Sequence, residues 1–274
     1  LLFAEKPFSL EAAESRVLKG VYTFTVNVFL FGPQDAVSEM QLIIGGKIFG
    51  LLGTDDLRRD LFTGIIWGTP LALFIGIAVS LLAVAIGMVY GVVSGYSGGR
   101  VDESMMRVND VIYAIPTLPL LIILAVSLGK SIIYVVFYLV IFGWVGIAKV
   151  ARSIAIQIKT MSYVEAAELL GASKWRVMFK HIMPQIAPYA FASIALSVPS
   201  AILAEAGLSF LGLGDPTLPT WGQILHDAQA YSAAARGLWW WILPPGMMIA
   251  LTSLAFVLLG MALDQVLNPK MRKA

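Results

Sequence analysis

Cysteine is absent from this 274-residue chain. Disulfides, thiolate metal sites and cysteine nucleophiles are therefore excluded. Histidine is nearly absent as well. His181 and His226 stand far apart, which argues against a histidine-built metal centre. Charge is scarce: 13% of residues are charged, against about 25% in ordinary soluble domains. A net charge of +2 is too small to point to nucleic acid as a partner. Asn and Gln are sparse too, a composition that leans towards a thermophilic source. No n-region, apolar h-region and cleavage site can be read at the beginning.

Apolar surface is what the chain has in excess. Hydrophobic residues make up 58% of it, and the mean hydropathy is +0.82. A soluble core of this size could not hide so much, because surface scales too steeply with volume. Lipid is the natural solvent, and a multi-pass protein of the cell membrane is expected.

Residues 1–60 are mixed, with no stretch long enough to span, and read as an extramembrane segment. From Leu61 to Tyr96 no charge occurs, and the run is long enough for one tilted spanning helix. Arg100, Asp102, Glu103 and Arg107 read as a short polar loop. A second run, Val108 to Leu128, is interrupted by Asp110, Pro116 and Pro119. A third, Ile132 to Ala148, contains Trp144 and ends at Lys149. A polar segment, 157–185, follows. The fourth run is Ile186 to Ala204, and a Gly- and Pro-rich loop fills 205–237. The fifth begins at Leu238, with Trp239, Trp240 and Trp241 as interfacial aromatics. The membrane part is thus expected over 61–264, with a short basic tail at 265–274.

Lys and Arg gather on the side that holds 100–107, 149–180 and the tail. The positive-inside rule makes that side cytoplasmic. The start and the 205–237 loop are then external. An external start is awkward, and a sixth helix upstream of Leu1 would put both ends inside.

Within the polar segment, Ser162 to Pro184 reads as two short helices. Ser162 with Glu165 matches a capping box. Tyr163, Ala166, Ala167 and Leu170 share one shallow face. Gly171 is placed to end the first helix in the left-handed conformation. Ser173 can cap the second, whose apolar face is Trp175, Met178, Phe179 and Ile182, and Pro184 ends it. Spacing alone leaves two readings: a plug for a groove on a cytosolic partner, or an amphipathic pair lying on the headgroups.

The sequence Glu165-Ala166-Ala167, then Gly171, then Ile182 and Pro184 resembles the EAA loop of binding-protein-dependent ABC importer permeases. Further stretches are similar to the C-type subunit of the dipeptide, oligopeptide and nickel subfamily. They are Gly53-Thr54-Asp55 with Arg59-Asp60, Ala204 through Gly214, Pro219-Thr220-Trp221-Gly222, Leu243-Pro244-Pro245-Gly246 and Asn268-Pro269-Lys270. Arg58 departs from the pattern, which has Gly there. The resemblance implies an all-α polytopic fold, the type I ABC importer transmembrane domain, with five visible spans and a sixth ahead of residue 1. It implies that Tyr163, Glu165, Ala166, Ala167, Leu170, Gly171, Ile182 and Pro184 couple the chain to an ATPase. It also implies a second permease subunit, two cytosolic ATPases carrying ATP and magnesium, and an external substrate-binding protein. This chain would hold no cofactor and perform no catalysis. The cargo implied is di- and oligopeptides, with oligosaccharides such as cellobiose or, less often, nickel as the alternatives.

Gly129-Lys130-Ser131 lacks the upstream Gly of a phosphate-binding loop, because position 124 is Leu, and reads as a turn. Glu205, Pro199 and Trp144 are the candidates for pathway or gate residues. A carboxylate such as Glu205 inside a span is costly unless it faces water or a partner, and the headgroup region is the other place it could sit. Asp110 fits a structural role, near a helix start or paired with Arg107. A secondary transporter would want charges near the midplane, and an enzyme a convergent acid–base site. The runs provide neither.

Overall fold

The computed structural model describes residues 50–267 and, ahead of them, Val26, Phe29 and Gly32. The expectations for the rest of the first 49 residues and for 268–274 lie outside the described residues. All described elements are helices: α1 (Leu61–Ser97), α2 (Gly99–Ala114), α3 (Thr117–Leu128), α4 (Ile132–Lys159) and α5 (Ser162–Leu169). Next come α6 (Lys174–Arg176), which leads through a π-helical turn (Val177–Ile182) into α7 (Met183–Phe210), then α8 (Trp221–Ala230) and α9 (Trp239–Leu267).

Among the described residues, four helices are long and apolar enough to cross a membrane: α1, α4, the continuous Lys174–Phe210 helix, and α9. The second expected span is broken. α2 and α3 meet at 76°, because Pro116 has no N–H to continue the ladder and Ile115 before it is held extended. α4 and the Lys174–Phe210 helix run well beyond their apolar stretches. α1 has 37 residues, about 55 Å, well over the apolar layer of about 30 Å.

Four local expectations are corrected. Arg100 to Arg107 is not a loop but the first half of α2. Pro184 does not end a helix. It sits in the first turn of α7, just after the π-helical turn, where the missing N–H is absorbed by the widened ladder. The 205–237 segment is not all loop: α7 runs on to Phe210, and α8 forms inside it. Trp241 does not face outward as an anchor would. It is buried in the core and stacked at 5.9 Å on Tyr231, while Trp239 stays exposed.

α1 is the central staff. α4 packs along it through Gly87, Gly91 and Gly95, one turn apart, which face Trp144, Ala148, Ala151 and Ala155. A Cβ at Gly87 would lie 2.7 Å from the Trp144 carbonyl oxygen, and one at Gly95 2.7 Å from that of Arg152. Small residues let the two backbones touch, the usual way to gain packing where lipid removes the hydrophobic drive. α7 packs on another side of α1, and α9 and α8 pack on α7. α2 is laced to α4 by polar contacts. Asn109, fully buried, donates to the Val145 carbonyl at 3.1 Å. Arg152 grips Asp102 with two bonds of 2.6 Å. Lys149 meets Asp110 at 2.8 Å, so the partner expected for Asp110 is corrected: Arg107 pairs with Glu103 instead.

Candidate functional site

The basic end of the bundle carries α5. Its N-terminus differs from the expected capping box. Ser162 lies inside the helix, the cap position is Met161, and no side chain caps it. The Met161 carbonyl itself accepts from the amides of Val164 and Glu165, at 2.9 and 3.2 Å, so the hydroxyl has no donor left to satisfy. The stop is as expected. Gly171 has φ of +84°, where a Cβ would be strained. Ser173 then caps the next helix through the Arg176 amide.

α5 has a gripped side and a free side. Val164 is fully buried, in a cluster with Tyr96, Ile158, Val177, Met178 and Ile182. Four residues on, the Glu168 carboxylate accepts a hydrogen bond from the Tyr96 hydroxyl at 2.7 Å. Lys159 donates to the Tyr96 carbonyl at 2.6 Å, which fixes the end of α1 beneath it. The opposite side holds Tyr163, Glu165 and Ala166, all exposed, with Ala167 half-buried at its edge. Leu169 and Leu170 are 89% and 88% exposed at its end. On the next helix Trp175 and Phe179 are also exposed, stacked on each other at 5.5 Å. The face expected to meet a partner is therefore presented, while Ile182 and Met178 are turned inward and serve as the floor. Val164 and Glu168 were missed by sequence reasoning. Their i, i+4 spacing opposite the alanine face was the available signal.

The opposite end joins two distant sequence stretches. Arg59 bonds to Asp55 at 2.6 Å and to Asp227 of α8 at 2.5 Å. Partial burial opposes its charge, but the bonds and charges of Asp227 and Asp55 outweigh that and raise the guanidinium above its ordinary pKa. Arg236 pairs with Asp56, and Trp221 donates to the Ile65 carbonyl at 3.1 Å. Arg58 keeps the turn that its lack of Gly brought into question, with φ of +62° and its amide bonded to the Asp55 carbonyl at 3.0 Å.

Between α1, α4 and α7 lies a cavity of about 580 Å³, reached also by Thr117 at the start of α3. None of the three candidate gate residues lines it. Trp144 is buried against Tyr90, at 4.6 Å. Pro199 is buried inside α7. Glu205 is 4% exposed and accepts from Ser209 at 2.6 Å. The lining is uncharged, with hydroxyls of α7 and α1 on its wall.

A bundle of apolar spans around an uncharged cavity, with an amphipathic helix pair held out at its basic end, defines a membrane transport subunit. Residues 87–273 match the family model described as the binding-protein-dependent transport system inner membrane component. The chain belongs to that family, the permeases of ABC importers, and is a multi-pass protein of the cell membrane. It is similar to the dipeptide transport system permease protein DppC of Bacillus subtilis, 39% identical over 81% of this chain and 69% of the relative. Its likeness to the oligopeptide transport system permease protein OppC of the same organism is also 39%, over 81% and 72%. The glutathione transport system permease protein GsiD of Pectobacterium atrosepticum is 35% identical over 81% and 73%.

Proposed function

We propose that this chain is one half of the channel of an ATP-driven peptide importer, and that α5 is its coupling helix. The observation that carries the reading is the two-sidedness of α5: Val164 and Glu168 hold it to the bundle, while Tyr163, Ala166 and Leu170 are offered outward. A helix so held can pass a push from a cytosolic ATPase into α1 and α4. Relatives named for dipeptide, oligopeptide and glutathione transport support peptides as cargo.

The mechanism is alternating access. ATP binding closes two cytosolic ATPases, which draws this α5 towards its counterpart in a second permease subunit. The paired channel tilts to open outward and receives cargo from an external binding protein. Hydrolysis in the ATPases restores the inward-facing state. Coupling requires each state to bind its partners differently. The basic end faces the cytosol and the α8 end faces the binding protein. Asp55, Arg59 and Asp227 bolt that outer surface together, so that it moves as one piece.

The test is co-purification of the ATPase with the detergent-solubilised permease. Replacing Ala166 and Leu170 by Glu is expected to abolish it without unfolding the bundle. ATPase recovery and peptide uptake equal to wild type in that variant would overturn the docking assignment.

A further inference from the structure

On α7, Tyr189, Ser193, Ser197 and Ser200 follow one another at steps of four, four and three residues, so they stand on one face of the helix. That face lines the cavity of about 580 Å³, opposite Ser80 of α1 and Thr117 of α3. Hydroxyls within apolar helices ordinarily bond back to the carbonyl four residues earlier. Thr69 does so with Ile65 at 3.0 Å, and Ser127 with Ile123 at 2.8 Å. Among the described residues, none of the six cavity hydroxyls has a partner within the chain. Ser80 is the sharpest case: it is completely buried, and its oxygen has no hydrogen bond. Buried polar atoms without partners are costly. The other five differ from Ser80 in being accessible: Tyr189, Ser193 and Ser197 are half-buried and Ser200 and Thr117 exposed, so their hydroxyls are open to a guest in the cavity.

We propose that this hydroxyl ladder is a cargo-contact face that hydrogen-bonds the backbone amides of an extended peptide in transit. The proposal rests on the reading of the cargo as peptide. Each hydroxyl both donates and accepts, so it serves N–H and C=O alike. A four-residue step on a helix is about 6 Å. Amides on one edge of an extended chain recur at about 6.6 Å. Tyr189, Ser193 and Ser197 therefore run nearly in register with such an edge, while Ser200, a three-residue step of about 4.5 Å further on, meets it about 2 Å early. The lining carries no Asp, Glu, Lys, Arg or His, so side-chain charge is neither sought nor matched by this subunit. The chemistry also disfavours a metal ion, which would want carboxylate or imidazole ligands.

The experiment uses the complete importer in proteoliposomes: this chain, its partner permease, both ATPases and the binding protein. Uptake is followed for tripeptides with Ala, Glu or Lys at the centre and for a cello-oligosaccharide. In the triple variant S193A/S197A/S200A, uptake of all three tripeptides is expected to fall by a common factor of about ten, given three lost contacts of modest strength. Recovery of the partner permease and ATP hydrolysis are expected to stay at wild-type levels. The triple variant S193T/S197T/S200T, which keeps the hydroxyls, is expected to restore uptake. Unchanged peptide uptake in the alanine variant would overturn the ladder alone. So would a loss confined to one centre residue, or loss of the partner permease on purification, which would make the serines mere packing. A wild-type importer that moves the oligosaccharide and no tripeptide sinks the cargo reading before any variant is made.

Discussion

Replacing Tyr96 by Phe removes one oxygen from the grip on α5 and leaves the ring in its cluster. That oxygen donates to the Glu168 carboxylate at 2.7 Å. Hydrogen bonds to charged groups contribute about 1.5–3 kcal/mol. Glu168 is exposed, which places this one at the low end, about 1.5 kcal/mol. Val164→Ala acts on the same helix by a different route. It removes two methyl groups from a fully buried side chain, about 1.6 kcal/mol at 0.8 per carbon. Each 1.4 kcal/mol is about a factor of ten. Amide hydrogen exchange across 162–169 is therefore expected to speed up roughly tenfold in either single variant. In the double variant the acceleration is expected to approach 200-fold if the two grips are independent. In the reconstituted importer, the double variant is expected to hydrolyse ATP normally but to move less peptide per ATP. Exchange in Tyr96→Phe indistinguishable from wild type would show that the bond holds nothing. A double variant that stays fully coupled would show that α5 does not transmit through this contact.

Gly91→Val would place new atoms where even a Cβ comes within 2.7 Å of the Ala151 Cβ. Overpacking against backbone is expected to cost about 3 kcal/mol or more, read as a lowered melting temperature or loss of monodisperse protein in detergent. Arg152→Met leaves Asp102, 14% exposed on its side chain, with Ser94 as its remaining partner. The loss is expected at about 2 kcal/mol, because Arg152 is itself partly exposed, and Asp102→Asn in the same chain should recover part of it in thermal unfolding. Arg59→Gln together with Asp227→Asn should loosen α8, because the pair links α8 to the turn before α1. Faster proteolysis near 221–230 would bear this out, and an unchanged cleavage pattern would refute it.

The expectations that held depend on neighbours a few residues away. An uninterrupted apolar run makes α1 a single helix whatever packs around it, because only an internally bonded backbone survives in lipid. Gly171 and Ser173 stop and restart the chain through bonds that close within about one turn. The readings that failed turned on a partner far along the chain or on a local bond that spacing does not show. Arg100 to Arg107 looked like a loop because charge breaks a hydrophobic run, yet Asp102 is matched by Arg152, fifty residues on. Ser162 had the right spacing for a cap, but the preceding turn had already brought the Met161 carbonyl to those amides. For Glu205 the sequence left two places open, a pathway and the headgroup region, and it did not reveal the Ser209 bond or the burial that the fold gives its carboxylate. The serines at 193, 197 and 200 were legible as one helical face all along. Only the placement of α7 beside α1 and α4 turned that face into a cavity wall, because which helices leave a gap is decided by small-residue contacts such as Gly87, Gly91 and Gly95 against α4.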